Sequence, residues 1–225
     1  MELRDIAGFV TDYRSGDDSA LVDCLRRVAA PEFLRPLLAH HAAAEVPDRA
    51  YRHPNGFLKI VLLADPQFQL RLHVWRPAPE YPAATENVHG HRWDFASAVL
   101  AGGYRFQEFA HDARGEDFRG YLYHGHDGGR TYSMSPTGEA RLRCTFDAEL
   151  SSGSSYLLTT DVLHRVVAPT GGTTVSLVLQ GPHREIPVEV YAKEDLEAGG
   201  AIALAPLPRE QVARELERVL DLVGG

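Results

Sequence analysis

Phe68-Gln69-Leu70-Arg71-Leu72-His73-Val74-Trp75 alternates without a break. Leu70, Leu72 and Val74 fall on one face and Gln69, Arg71, His73 and Trp75 on the other, the period of two that a β-strand imposes. Similar short runs lie on both sides: Phe57 to Leu63, Phe95 to Leu100, Tyr104 to Phe109, Arg119 to Tyr123, Ala140 to Phe146, Ser155 to Leu158, Leu163 to Val167, Thr173 to Leu179 and Ile186 to Tyr191. No helical period separates them. Ten short strands at this spacing predict an all-β sandwich or barrel, with turns at Gly102-Gly103, Gly128-Gly129, Gly171-Gly172 and Gly199-Gly200. The polar face of the quoted run either lines a barrel interior or faces solvent on an edge strand, and the alternation fits both.

The ends of the chain read as helical. Asp17-Asp18-Ser19 offers an N-cap to a segment with Leu21, Val22, Leu25 and Val28 at helical spacing. Pro31 then starts a second segment with Phe33, Leu34, Leu37 and Leu38. Pro206 to Val223 returns to a period of 3.6, placing Val212, Leu216, Val219, Leu220 and Val223 on one face and Arg and Glu on the other. The expected organisation is a helical extension over 1–50, a β-barrel over 51–195 and a C-terminal segment over 196–225 with an amphipathic helix, together one domain.

With 23 Lys and Arg against 31 Asp and Glu, the 225-residue chain carries a formal charge of −8. That acidity argues against a phosphate-backbone partner, since such proteins gather cations on one face. Neither terminal helical segment shows a basic recognition face. No apolar stretch approaches the 18 residues that span a bilayer, and the first residues carry acids, so a cytoplasmic location is expected. Cys24 and Cys144 form no C-x-x-C and are expected to be incidental buried thiols. Abundant Arg, Ala and Gly hint at a GC-rich bacterial genome. Histidine is the outlier: 11 residues, against two lysines, Lys59 and Lys193.

Its densest cluster is Asn87-Val88-His89-Gly90-His91-Arg92-Trp93-Asp94-Phe95. On a strand, His89 and His91 would point to one face at a separation that one metal ion can bridge. Two ligands bind weakly, and His164, inside the run Leu163 to Val167, is the candidate third. Asp94 is a rival fourth ligand or a group orienting an imidazole. His124-Gly125-His126, beside Asp127-Gly128-Gly129, reads as a solvated turn, and His40-His41 closes a helical segment.

These residues resemble the two motifs of the cupin superfamily, G-x5-H-x-H-x3/4-E-x6-G and G-x5-P-x-G-x2-H-x3-N. His89, His91 and Gly102 match the first motif; Gly153 and His164 match the second. The likeness covers roughly residues 56–192. Phe95 or Ala96 stands at the Glu position, Thr159 at the Pro, Asp161 at the second Gly, Ala168 at the Asn, and Ala83 or Ala84 at the leading Gly. The resemblance implies a mainly β, double-stranded β-helix (RmlC-like jelly-roll) fold with His89, His91 and His164 as metal ligands. Without the Glu, the site is similar to the three-histidine, cysteine-dioxygenase-like branch. That implies Fe(II) and an O2-dependent oxidation of a small metabolite, with Zn, Ni or Mn as alternatives.

Arg71, if interior, would clamp a substrate carboxylate through two parallel hydrogen bonds, with His73 beside the substrate. Tyr104 and Tyr156, and less so Tyr121 and Tyr123, are candidate donors to substrate; Ser97 shares strand parity with the histidines. A redox-neutral isomerase, lyase or hydrolase on the same ligands is the alternative enzyme, and a non-catalytic ligand-binding cupin the alternative to an enzyme; strand edges and the terminal helices could support a homodimer in any of these. H-x-H-x-D-H, G-x-S-x-G, Walker A, G-x-G-x-x-G and H-E-x-x-H are all absent.

Overall fold

The structure, a computed structural model, describes residues 3–43, 50–77, 86–126, 131–167, 171–197 and 199–223. Its strands are β1 (Ala50–Arg52), β2 (Leu58–Asp65), β3 (Phe68–Trp75), β4 (Val88–His89), β5 (Phe95–Ala101), β6 (Gly103–His126), β7 (Thr131–Ser151), β8 (Ser155–Leu158), β9 (Leu163–Val167), β10 (Thr174–Gln180), β11 (Val188–Ala192) and β12 (Ile202–Ala203). The helices are α1 (Leu3–Arg14), α2 (Ala20–Ala29), α3 (Pro31–Ala43) and α4 (Arg209–Leu222). One sheet has the order β1-β2-β3-β10-β5-β8 and the other β11-β4-β9-β6-β7-β12.

The pairing has one underlying pattern. β6 pairs with β7, β5 with β8, β4 with β9 and β3 with β10, all antiparallel. Successive pairs fall in alternate sheets. A single two-stranded ribbon, folded back between β6 and β7 and coiled about its axis, produces this order: a double-stranded β-helix. The ribbon turns from the first sheet into the second at Gly102, whose φ is +68°. A Cβ there would lie 2.5 Å from the Thr173 carbonyl oxygen, so the corner requires glycine.

Each face of the first sheet has its own partner. Leu58, Ile60, Leu70, Leu72, Val74, Leu177 and Leu179 pack outward against Leu21, Leu25, Leu34, Leu38, Val212 and Leu216 of the helices. Fully burying side chains of this size contributes about 1.5–3 kcal/mol each. The opposite face carries Trp75, Phe95, Val99 and Val178, which meet Tyr104, Phe106 and Val166 of the second sheet. β3 is therefore an internal strand, and the polar face of the opening run points into the barrel.

Several sequence expectations need correction. β6 and β7 run through 24 and 21 residues, absorbing three of the expected short strands, with register shifts at Glu108/Phe109, His111/Glu116 and Gly120/Tyr121. Between its two expected strands, over 110–117, β6 has neither face buried, so no alternation marks that stretch. β1 and β12, of three and two residues, are too short to carry a readable alternation. Ser19 makes no side-chain cap; its amide and hydroxyl instead donate to Asp17 Oδ1 at 3.0 and 2.8 Å. Glu215 of α4 is buried, because it pairs with buried Arg76. Cys24 is buried, but Cys144 is exposed on β7. His124 belongs to the end of β6 rather than to a turn. The expected turn at Gly128-Gly129, with Asp127, and the motif positions Ala83, Ala84 and Ala168 lie outside the described residues. No helix among the described residues is long and apolar enough to cross a membrane.

Candidate metal centre

β4 is short: strand geometry ends at His89, and Gly90 and His91 lie beyond it. The two histidines thus do not share a face by strand alternation as the sequence suggests. His89 is instead placed by pairing on both sides, with Val190 of β11 and His164 of β9. The Gly90 amide donates to the Glu189 carbonyl at 2.9 Å and turns the chain so that His91 re-enters the same space.

The three imidazoles converge. Ring centroids are 4.8 Å apart for His89–His91, 4.6 Å for His89–His164 and 5.1 Å for His91–His164. One nitrogen from each can be chosen so that all lie within 4.8 Å of one another. His89 Nδ1 lies 2.9 Å from the Asn87 carbonyl oxygen. Only a protonated Nδ1 satisfies that contact, which leaves Nε2 with its lone pair free. His91 Nε2 and His164 Nε2 lie 2.9 Å apart. Two imidazole nitrogens each about 2.1 Å from one ion would lie roughly 3 Å apart, so this spacing fits a shared cation. Burial holds all three rings below the ordinary imidazole pKa, against the Asn87 carbonyl bond at His89; His91 and His164 lie well below it, and there neighbouring imidazoles add to the effect. Neutral rings are the form that binds metal. The donor set therefore suits a divalent ion with open positions.

Asp94 is not part of this set. It is 3% exposed; its Oδ1 accepts the Thr160 amide at 2.8 Å, and its Oδ2 accepts the Tyr13 hydroxyl at 3.0 Å and the Arg184 guanidinium. Its bonds tie α1 and two loops to the barrel rather than orienting an imidazole. Between His89 and Phe95 the chain passes from one sheet to the other, which carries Asp94 away from the imidazoles.

Facing the imidazoles is the polar side of β3. Arg71 is 4% exposed, and its Nε donates to His73 Nε2 at 3.1 Å. Its Nη1 donates to Gln69 Oε1 at 3.2 Å and to Gln180 Oε1. Only Nη2 makes no bond among the described residues, so the guanidinium offers one open edge nitrogen rather than a free fork. The guanidinium lies 5.6 Å from the centre of the Trp93 ring, which also touches His91 at 5.5 Å. His73 stacks on Phe57, which stacks on His53, with centroids 4.2 and 4.4 Å apart. Burial first, then Arg71 and Lys59, hold His73 well below its ordinary pKa.

Tyr104 and Tyr156 bond through their hydroxyls at 3.1 Å. Ser97 faces Tyr156 across the β5–β8 pair and is 1% exposed. Burial raises both phenols, so both stay protonated. They form the next layer out, reached from His164 across Phe106, whose ring touches both at 5.4 and 4.8 Å. Tyr121 and Tyr123 pack in a separate cluster with Val190 and Ala192. His124 is bound to Ser135, His111 to Tyr191 and His183 stacks on Trp93; none joins the centre.

Sequence reasoning missed Lys59, His53 and Glu86. Lys59 had a signal: a lone cation within Leu58-Lys59-Ile60-Val61-Leu62, on the parity that faces His73. Glu86, 4% exposed, accepts the Val166 amide at 3.1 Å, and burial pushes its carboxyl up to about 8. Nothing in the local sequence marks it.

No protein-family model matches the chain. No curated protein matches it either. Solved structures do. An RmlC-like cupin from Shewanella frigidimarina NCIMB 400 is 18% identical, covering 64% of this chain and 91% of that one, with a TM-score of 0.35. The polyketide cyclase RemF from Streptomyces resistomycificus is 15% identical over 73% of this chain and 91% of its own, with a TM-score of 0.39. Hydroquinone 1,2-dioxygenase PnpCD, in complex with Cd2+ and 4-hydroxybenzonitrile, is 15% identical over 62% and 68%, with a TM-score of 0.35. Likenesses this distant carry no inference about activity, and the fold assignment rests on the coiled ribbon and its strand order. On that order, the chain has the double-stranded β-helix fold of the RmlC-like cupins, with three imidazoles converging between its sheets.

Proposed function

We propose that this chain is a metal-dependent enzyme in which His89, His91 and His164 hold Fe(II), and that it catalyses an O2-dependent oxidation of a small carboxylate-bearing metabolite. The observation that carries the reading is the convergence of three neutral imidazoles opposite a buried, uncompensated Arg71. When bound, the ion would supply open coordination positions for substrate and O2. Everything else is work for the protein. Arg71 Nη2 receives the carboxylate, and the Gln69, His73 and Gln180 bonds fix the guanidinium before substrate arrives. Phe57, Phe95, Phe106 and Trp93 exclude water around the reacting atoms, which strengthens each polar contact there. Tyr104 and Tyr156 stay protonated and keep Ser97 satisfied behind that layer.

The test is metal analysis of protein purified without chelator, paired with an oxygen-electrode screen of small carboxylates on the Fe(II)-loaded chain. Stoichiometric iron and substrate-dependent O2 uptake are expected. Stoichiometric zinc with no O2 uptake overturns the oxidative reading. Turnover that persists without oxygen assigns the same centre to a redox-neutral isomerase, lyase or hydrolase.

A further inference from the structure

Two cations face the barrel interior without a counter-charge. Lys59 pairs in register with His73 on one side and Tyr51 on the other, so it shares their face, while Leu58 and Ile60 turn outward into the helical core. Val61 is the register partner of Arg71, which places Lys59 diagonally from Arg71, with backbones about 7–8 Å apart. The Lys59 ammonium lies 5.3 Å from the centre of the Tyr51 ring. Among the described residues no carboxylate pairs with either cation. Two other buried charges do have partners: Arg76 has Glu215, and Asp94 has Arg184.

The cost of this arrangement is visible in both groups. Burial, and then Arg71, hold the Lys59 ammonium well below its usual range, and burial brings Arg71 down to about 10. A third donor lies on the same face: Trp75 Nε1 is buried without a partner, and its ring touches Phe57 and His73 at 5.1 and 5.9 Å. Desolvated like charges beside an orphaned N–H are kept where an anion completes them.

We propose that the barrel binds a dicarboxylate, with one carboxylate on Arg71 beside the three imidazoles and the other on Lys59 farther along the same face. This rests on the reading of the barrel interior as the substrate site, and extends it from one anionic group to two. Arg71 positions the reacting end; Lys59 selects for length and charge at the far end, where a neutral group would leave the ammonium buried and unpaired.

Isothermal titration at fixed ionic strength tests this with malonate, succinate, glutarate and adipate, each against its own monomethyl ester. Chelator-treated and Zn-loaded protein are both titrated. At least one diacid is expected to bind about 10-fold or more tightly than its ester, the scale of one desolvated charge pair. Lys59→Met should reduce that preference to within about twofold, by weakening diacid binding and relieving the penalty on the ester, and Lys59→Arg should keep it, which controls for folding. Arg71→Gln should weaken diacid and ester alike. No preference in the wild-type chain, or a preference that survives Lys59→Met, overturns the dicarboxylate. The chelator-treated comparison needs no metal: a chain that binds no metal yet keeps the preference overturns the metal centre alone, and a metal-loaded chain without the preference overturns the dicarboxylate alone.

Discussion

His91 Nε2 and His164 Nε2 lie 2.9 Å apart although 73 positions separate them in the chain. The coiled ribbon explains why. β4 and β9 are partners on it, so whatever follows β4 is delivered opposite β9, and His89 pairs directly with His164. The centre is thus a property of ribbon pairing, with two paired strands and the turn after the first setting three imidazoles.

Metal should stabilise the chain, and the effect should vanish with the ligands. A ligand at about 100 times its Kd adds roughly 2.7 kcal/mol, which for a chain of this size raises Tm by about 5–10 °C. Excess Zn(II), or Fe(II) without oxygen, is expected to produce this in differential scanning calorimetry. His91→Ala and His164→Ala should each lose most of it. An undiminished shift in both variants would show that metal binds elsewhere.

Asp94 is an anchor, and its removal should lower stability without touching metal content. Asp94→Ala deletes the acceptor of the Tyr13 hydroxyl, the Thr160 amide and the Arg184 guanidinium. Losing a buried, charged acceptor with three donors costs about 3 kcal/mol. Urea denaturation should show that loss, while Tyr13→Phe should cost only about 1 kcal/mol. A tenfold fall in metal affinity for Asp94→Asn would instead make Asp94 a ligand.

Much of this was legible beforehand, for definable reasons. Strand β9 falls where alternation puts it, because one face is buried and the other only partly, and β3 alternates because its outward face meets the apolar helices while its inward face meets a polar barrel interior. The histidines were legible from H-x-H and a third histidine in a β-run. What a single sequence hides is pairing. Strand parity carried from His89 to His91 and on to Ser97 assumes one strand, whereas β4 ends at His89 and β5 lies in the other sheet. Whether β3 was an edge or an internal strand depended on β10, about 100 residues away, supplying its second neighbour. Glu86 and Glu215 look like ordinary solvated acids until burial is known.

Glu86 should make stability fall with rising pH. Its carboxyl titrates near 4.5 when unfolded and about 8 when folded, so between these values the folded state holds the extra proton. The stabilisation is complete below pH 4.5 and lost as pH rises through 8. The gap corresponds to roughly 5 kcal/mol at most. Buried histidines below their ordinary 6.5 act in the opposite sense, but only up to pH 6.5. Between pH 6.5 and 8 the histidines no longer contribute, while Lys59, held well below its usual range in the folded chain, opposes Glu86. Melting scans should show the wild-type Tm falling across this range relative to that of Glu86→Gln, in which only the opposing slope remains; parallel slopes would remove Glu86 as the cause.

The pair that holds α4 to the barrel should show strong coupling. Arg76 Nε donates to Glu215 Oε2 at 2.9 Å, its Nη2 donates to the same oxygen, and its Nη1 donates to Thr173 at 3.0 Å. The two side chains are 7% and 4% exposed, so solvent screens them little. Removing one partner strands the other charge in the interior, which costs about 3–5 kcal/mol, whereas an apolar pair of similar volume avoids that penalty. Arg76→Met and Glu215→Leu should each destabilise by that amount in urea. The double variant should be less destabilised than either single one, giving a coupling of several kcal/mol. Arg218 bears on only one arm of the cycle: it lies 3.3 Å from Glu215 Oε1 and is half exposed, so it keeps its hydration when Glu215 is lost. Additive effects would mean that α4 is held by Val212, Leu216 and Val219 alone, with the ion pair contributing nothing.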